Sequence, residues 1–281
     1  MAVDYALIGH VTADLTSDGR KLGGTVSYAA RTAHAFGLSV GVVTSAAADE
    51  VLLDGIAPYV SQLVNIPASE TTTYENLYHS AGRTQYVRAV AEPITLRSIP
   101  RAFQDAPLVH LAPIAGEYEP GAVASMFPKA LMLLTLQGML RTWGADGRVR
   151  FRRWMDAEAL KRIDVVVFSE EDIAEAPELA YEIAAVCRRV VVTRAERGGT
   201  VYLDGAARAY AAPQVEAVDA TGAGDVFAAG LLAAWHCLGD FERAVPVAAA
   251  LGAIAVTRSL LDGAPTAAEV KAALRMAQEV R

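Results

Sequence analysis

Asp225 closes the run Val218-Asp219-Ala220-Thr221-Gly222-Ala223-Gly224-Asp225, which sets two glycines and a carboxylate at the head of an apolar, helix-patterned segment. Glycines let consecutive backbone N–H groups turn toward one point, and a helix N-terminus adds the positive end of its dipole there. The product is an anion hole with a carboxylate beside it. Phosphoryl transfer needs that pairing: N–H groups to hold phosphate charge, and a carboxylate to take the proton of an attacking hydroxyl. The same run also reads as a plain strand-to-helix turn, with Asp225 favouring the dipole. Two other phosphate-binding signatures are excluded. A dinucleotide fingerprint needs a third glycine where Phe227 stands, and no Gly-x4-Gly-Lys-Ser/Thr occurs.

A second group of polar residues lies near the N-terminus. Asp14 ends the stretch Gly9-His10-Val11-Thr12-Ala13-Asp14, and Gly23-Gly24 precede a helical pattern that starts near Ser27. A carboxylate accepts hydrogen bonds from two adjacent hydroxyls, and paired glycines let backbone approach a ligand; Asp14 reads equally as a turn former or helix cap. Arg83, Arg88 and Arg141 are candidate anion or hydroxyl contacts or plain surface charges, and His10 and His110 read as satisfied structural histidines. Ser169-Glu170-Glu171-Asp172 and Thr193-Arg194-Ala195-Glu196-Arg197-Gly198-Gly199 each follow a strand-like run. The first also reads as a helix N-cap with acidic residues in its first turn.

These groups must be held by a scaffold, and the apolar pattern shows one. Ala6-Leu7-Ile8, Val40–Val43, Leu108–Leu111, Leu131–Leu134, Val165–Phe168 and Val190–Val192 are short β-branched or leucine-rich runs, apolar on both faces of a pleat. Helical patterns lie at 27–37, 119–128, 178–188, 223–238, 241–257 and 266–280. The alternation predicts a doubly wound, mostly parallel α/β sheet sandwiched by helices, and ligands then bind at the carboxyl ends of its strands. The segment Thr71–Arg88 breaks the pattern: it is rich in Thr and Tyr, with a turn at Ser80-Ala81-Gly82, and predicts a β-hairpin outside the main sheet. Asp18-Gly19 offers a second turn. No linker divides the 281 residues, so one domain is expected.

Composition narrows the rest. Hydrophobic residues make up 53%, enough for a large core, and a net charge of −7 excludes broad nucleic-acid binding. No uncharged run of about 20 apolar residues exists, so no membrane span is expected. The N-terminus, Met1-Ala2-Val3-Asp4, has no basic region ahead of an apolar one, so no signal peptide is expected, and Cys187 and Cys237 lie unclustered in apolar patterns. Both are expected as reduced core thiols in a cytoplasmic protein, without a zinc site.

The run 219–225, continued through Phe227-Ala228-Ala229-Gly230, resembles the C-terminal signature of the ribokinase-like (PfkB) family of carbohydrate kinases. The resemblance implies the doubly wound fold with a small β-sheet lid built from about 12–24 and 68–95. It implies an ATP-dependent kinase acting on a hydroxyl of a small sugar or polyol. Asp225 would be the general base, with Gly222, Ala223 and Gly224 forming the anion hole. Asp14, Gly23, Gly24, Ser27, Tyr28, Arg88, Gln137 and Arg141 would meet the substrate. Ser169, Thr193, Glu196, Gly198, Thr221, Gly222 and Gly224 would line the ATP site, and Asp172 with Glu171 would orient hydrated Mg²⁺. This chain departs from the family where an Asn usually follows the second glycine by four residues and Tyr28 stands instead. Ala195 stands where a glycine is common. Gly23-Gly24-Thr25-Val26-Ser27-Tyr28, Arg88–Ile94, Leu136–Arg141 and Ser169-Glu170-Glu171 are more similar to myo-inositol kinases, which points to a cyclic polyol. A nucleoside acceptor, or a binding protein of the same fold without catalysis, are the alternatives. No nucleic-acid partner is implied, and a homodimer is compatible with the family.

Overall fold

The valine-rich runs become the parallel centre of a sheet. In the computed structural model, which describes residues 2–79 and 82–279, β1 (Tyr5–Ile8) lies at the middle. Counting along the chain, β2 is Thr12–Thr16, β3 Gly19–Gly23, β4 Val40–Ala47, β5 Gln62–Ala68, β6 Thr73–His79, β7 Gly82–Ala89, β8 Leu108–Leu111 and β9 Leu131–Thr135. Then come β10 (Arg141–Trp143), β11 (Val149–Phe151), β12 (Val165–Ser169), β13 (Arg189–Thr193), β14 (Gly199–Leu203) and β15 (Ala206–Tyr210). The large sheet runs β15-β14-β13-β12-β9-β8-β1-β4-β5. Every pairing from β13 to β5 is parallel; β14 and β15 turn back antiparallel at one edge.

Strand alternation divides the core into two layers. Tyr5 and Leu7 of β1 and Val165 and Val167 of β12 face one side; Ala6, Ile8, Val166 and Phe168 face the other. The first face is covered by α1 (Thr25–Ala35), α5 (Ala223–Leu238), α6 (Phe241–Ala255) and α7 (Ala267–Glu279). The second carries α2 (Pro120–Ala124), α3 (Ala157–Leu160) and α4 (Leu179–Ala184). An unbroken buried stretch, Val226–Ala234, shows why α5 is apolar nearly all round: it lies between the sheet and α6. Each such buried aliphatic side chain contributes roughly 1.5–3 kcal/mol. No described helix is long and apolar enough to cross a membrane.

A four-stranded sheet, β3-β2-β6-β7, stands apart from the large one. Its β2–β3 turn is the expected Asp18-Gly19, with Gly19 at φ +101° and the Thr16 hydroxyl donating to the Gly19 carbonyl. The β6–β7 hairpin pairs antiparallel, and β2 joins β6 in parallel. Of the expected hairpin turn, Ser80 and Ala81 lie outside the described residues. Two anchors hold this sheet to the body. Tyr74 Oη donates to the Ile114 carbonyl, and the Val87 N–H donates to Gly147 O in the turn of a small hairpin, β10–β11.

Three expectations are corrected. The helical pattern 119–128 forms a helix only over α2, because Pro128 follows and disfavours helical backbone at Phe127. That at 178–188 ends with Ala184, because β13 begins at Arg189. Cys187 is buried as expected, but Cys237 is exposed, since the last turn of α5 runs past the core. The sequence reading missed β5, β10, β11, β14 and β15. Tyr210 apart, β15 is exposed along its length, and β5 is only half-buried, so neither shows a long apolar run.

Candidate active site

The parallel strands β1, β8, β9, β12 and β13 end on the same side, and residues that follow β1, β9 and β12 (Asp14, Arg141 and Asp172) face Asp225 at the N-terminus of α5. Gly222 caps that helix at φ +79°, a left-handed conformation that costs a side chain about 1–2 kcal/mol. The Ala223 N–H turns back to the Ala220 carbonyl at 3.3 Å. The Gly224 and Asp225 N–H groups hydrogen-bond to no described residue, and a side chain at Gly224 would meet open space. They are donors the helix offers to an anion, while the Ala223 N–H is already turned to a loop carbonyl. Asp219 braces the turn from behind: its carboxylate accepts from the Thr221 N–H and the Leu260 N–H, both at 2.9 Å.

Asp225 sits at the centre of these elements. Burial pushes its carboxyl up to about 6. A hydrogen bond from Thr25 and the positive charge of Arg141 pull the other way, while Asp172 and Asp14 add to the rise. A carboxylate poised there is charged at neutral pH yet basic enough to accept a proton. Arg141 starts β10 and stacks 5.6 Å over the Tyr74 ring. Asp14 pairs in register with Tyr74 across β2 and β6, so both look to the same side of the small sheet. The Thr12 hydroxyl donates to Asp14 at 3.1 Å, and the carboxylate lies against the bare Cα of Gly23, where a Cβ would come within 2.2 Å of it.

Other expected substrate contacts lie elsewhere. Ser27 is fully buried and its hydroxyl donates to the Gly23 carbonyl at 2.7 Å, holding the glycine loop from beneath. Tyr28 is also buried; its ring lies so close under Gly222 that a Cβ there would be 2.1 Å from the ring. It is a wedge between α1 and the glycine turn, and burial with the nearby Asp225, Asp14 and Asp219 charges pushes its phenol far up. Arg88 pairs with Glu75 and stacks on Tyr86. Those two share the face of the small sheet opposite to Tyr74 and Asp14, so Arg88 lies on the other face from Asp14. Gln137 reaches Asp172 at 3.2 Å.

On the other flank, Ser169 and Asp172 hold one another. Asp172 accepts from the Ser169 N–H (2.9 Å) and hydroxyl (2.8 Å), and its own N–H donates to Ser169 Oγ (3.1 Å). Glu171 is exposed beside them. Among the described residues no group of three or more His, Cys, Asp or Glu gathers as a metal site. Thr193 ends β13 next to Ser169, and the loop behind it returns through Gly198 at φ +78°. Ala195 is held at φ +49°, so the loop keeps the left-handed backbone a glycine would adopt freely. Glu196 is exposed and contributes its carbonyl to Gln214.

Sequence reasoning missed two residues. Thr25 donates to Asp225 Oδ1 at 2.7 Å across 200 positions of sequence. Glu117 is buried and gathers the N–H groups of His10, Ile114 and Ala115, tying the loops after β1 and β8 together. A hydroxyl beside Gly23-Gly24 was the only signal for the first; nothing local marks the second. His10 and His110 are buried and satisfied, His10 by Thr72 Oγ1 and the Glu92 carbonyl, His110 by the Tyr5 hydroxyl.

Residues 156–267, which include the glycine turn and Asp225, match the family described as pfkB family carbohydrate kinase. Over that segment the chain is similar to the carbohydrate kinases of that family. It is therefore a phosphotransferase acting on a hydroxyl group of a sugar or polyol. The kinase is 29% identical to a cytidine kinase of Thermococcus kodakarensis over 83% of this chain and 88% of the relative. It is 38% identical to an ATP-dependent ribose-1-phosphate kinase of Halopiger xanaduensis, over 42% of this chain and 40% of the relative. In fold it is similar to a pyrophosphate-dependent kinase of the ribokinase family solved with a pyrophosphate analogue and myo-inositol. The TM-score is 0.79 at 22% identity, covering 95% of this chain and 99% of that one.

Proposed function

We propose that this kinase moves the terminal phosphoryl group of ATP to a hydroxyl of a small sugar or cyclic polyol, with Asp225 as general base. One observation carries the reading: a carboxylate pushed up to about 6 stands beside the Gly224 N–H and its own N–H, neither of which has a partner among the described residues. Asp14 and the Gly23-Gly24 backbone orient the acceptor. Asp225 takes the hydroxyl proton as the oxygen attacks phosphorus, and the bond from phosphorus to the leaving ADP oxygen breaks. The Gly224 and Asp225 N–H groups and Arg141 hold the negative charge of the group in flight. Thr193 and Gly198, with Ser169 and Thr221, line the path proposed for the donor phosphates. Asp172 and the exposed Glu171 are hard oxygen donors that suit a hydrated Mg²⁺, which would neutralise donor phosphate charge when bound. The small sheet excludes water, the rival acceptor.

The cytidine kinase relative, which aligns with most of the chain, favours a second reading in which the acceptor is a nucleoside. The deciding experiment is ADP release from Mg-ATP against inositols, pentoses, hexoses and nucleosides, with Asp225→Asn as control. Turnover of one class that vanishes in the control supports the mechanism and chooses between the readings. Turnover that persists in folded Asp225→Asn refutes the role of the base.

A further inference from the structure

The first turn of α1 meets the catalytic turn by two residues on one helix face. Thr25 and Tyr28 stand three apart, so both point toward the N-terminus of α5. Tyr28 lays its ring under Gly222, and Thr25 donates its hydroxyl to Asp225 Oδ1 at 2.7 Å. Thr25 is buried and directly follows Gly24, the φ +83° cap of α1 and part of the acceptor loop. The bond therefore joins the two halves of the reaction: the loop that receives the acceptor and the carboxylate that must take its proton.

We propose that Thr25 is a positioning residue, whose hydroxyl occupies Asp225 Oδ1 and so presents Oδ2 to the acceptor's proton in register with the Gly23-Gly24 loop. This rests on the reading of Asp225 as general base. A carboxylate with neither oxygen fixed can rotate and hydrogen-bond elsewhere; one fixed oxygen leaves a single free edge at a set angle, and misalignment by about 1 Å costs about 10²-fold in rate. Thr25 also donates to the charged form and so favours it, which keeps the carboxyl from rising further in its buried setting. The charged groups that face Asp225 are Arg141 from β10, Asp172 from the turn after β12 and Asp14 from β2; the Tyr28 phenol of α1 stays neutral. None of them replaces the lost donor: the carboxylates raise the carboxyl's pKa, and Arg141 already acts in both cases.

Thr25→Val keeps the shape of the side chain and removes the donor; Thr25→Ala removes it without branching, and Thr25→Ser restores it. The expected result is a fall in kcat of about tenfold or more for Val and Ala, with a smaller change in KM. The acid limb of the rate profile should move to higher pH by roughly one unit, as for loss of a hydrogen bond to a charged group. Ser should recover both. Carbon-detected NMR titration of the Asp225 carboxyl, assigned by its absence in Asp225→Asn, reads the same shift without turnover. An unmoved carboxyl titration in Val and Ala, or an unmoved acid limb with wild-type kcat, overturns the proposal. Failure of the general-base reading looks different: Asp225→Asn itself turns over normally while the Thr25 variants still shift the titration.

Discussion

The buried carboxylate proposed as the base also weakens the fold. Asp225 has a pKa near 6 in the folded chain and an ordinary value of 3.8 when unfolded. The native state thus binds the extra proton between those values, and stability falls as pH rises through that window. Turnover should do the opposite, rising with pH to a plateau above about 6 as the base becomes charged. Asp225→Asn should therefore lose about 10²-fold or more in kcat and yet melt higher at pH 8, by on the order of 1–2 kcal/mol, the advantage vanishing near pH 4. Calorimetric melts at the two pH values check the sign: an Asn variant that is less stable at pH 8 would show that Asp225 is not destabilised by burial. Ala195 is strained in another way. Its φ of +49° suits glycine, and the Cβ penalty of about 1–2 kcal/mol exceeds the entropy a glycine gives to the unfolded chain, about 0.4–1 kcal/mol. Ala195→Gly should thus raise the unfolding free energy by up to about 1 kcal/mol, seen as a higher denaturant midpoint, and a lower midpoint would mean the loop is not held left-handed.

At the scale of elements, the joint between α1 and α5 shows what a sequence discloses and what it hides. The glycine turn was legible because its chemistry is local: Gly222, Gly224 and Asp225 are within four positions, and the helix they start is apolar from Val226 onward. The central strands were legible for the same reason, each being a short β-branched run buried on both faces. Tyr28 was legible only as a departure from an expected Asn. Its contact with Gly222 depends on how two helices far apart in sequence cross, and no pattern in either states that. Arg88 read either as a ligand contact or as a plain surface charge, and its pairing with Glu75 depends on a cross-strand register, with an irregularity beside it, that no local pattern states. The joint yields its own test. Gly222→Ala meets both a positive φ and the Tyr28 ring, and should cost about 2–4 kcal/mol. Tyr28→Ala alone should cost about 3–5 kcal/mol, as for loss of a buried ring. If the ring is what the new methyl strikes, the double variant should be more stable than the sum of the two losses by about 1 kcal/mol or more. Strict additivity in urea melts would place the strain in the backbone alone.

For the whole molecule, the question is how the small sheet is carried by the large one, and besides the Tyr74 and Val87 anchors the chain uses a buried polar hub. The chain segments from β1 to β2, from β5 to β6 and beyond β7 meet there. His10, on the way from β1 to β2, bonds Thr72; Thr72, on the way from β5 to β6, also accepts from the Ala91 N–H beyond β7. Beside it Glu50, just past β4, accepts from Thr71, from the Leu52 N–H and from Arg20 of β3 at 2.5 Å. The Glu50 side chain is 1% exposed and that of Arg20 46%. The ion pair as such is therefore worth little in water, and the cost of losing Glu50 comes mainly from stranding buried donors. Burial pushes the Glu50 carboxyl up, yet these hydrogen bonds outweigh it and hold it below its ordinary range. Its contribution is thus present above the usual carboxylate range and lost as pH falls through the depressed folded value. Glu50→Gln should lower stability at pH 7 by about 1–3 kcal/mol, with a smaller deficit in acid. Because Glu50 touches no reacting group, it should act on the acceptor through the placement of β2 and β3, which carry Asp14 and Gly23. KM for the acceptor should then rise severalfold while kcat changes by less than about twofold, the pattern of lost uniform binding. Hydrogen exchange should quicken across β2 and β3 before it does in β1. An equal fall in kcat with no change in KM would instead place Glu50 in the alignment of Asp225, and would mean that the two sheets move as one body.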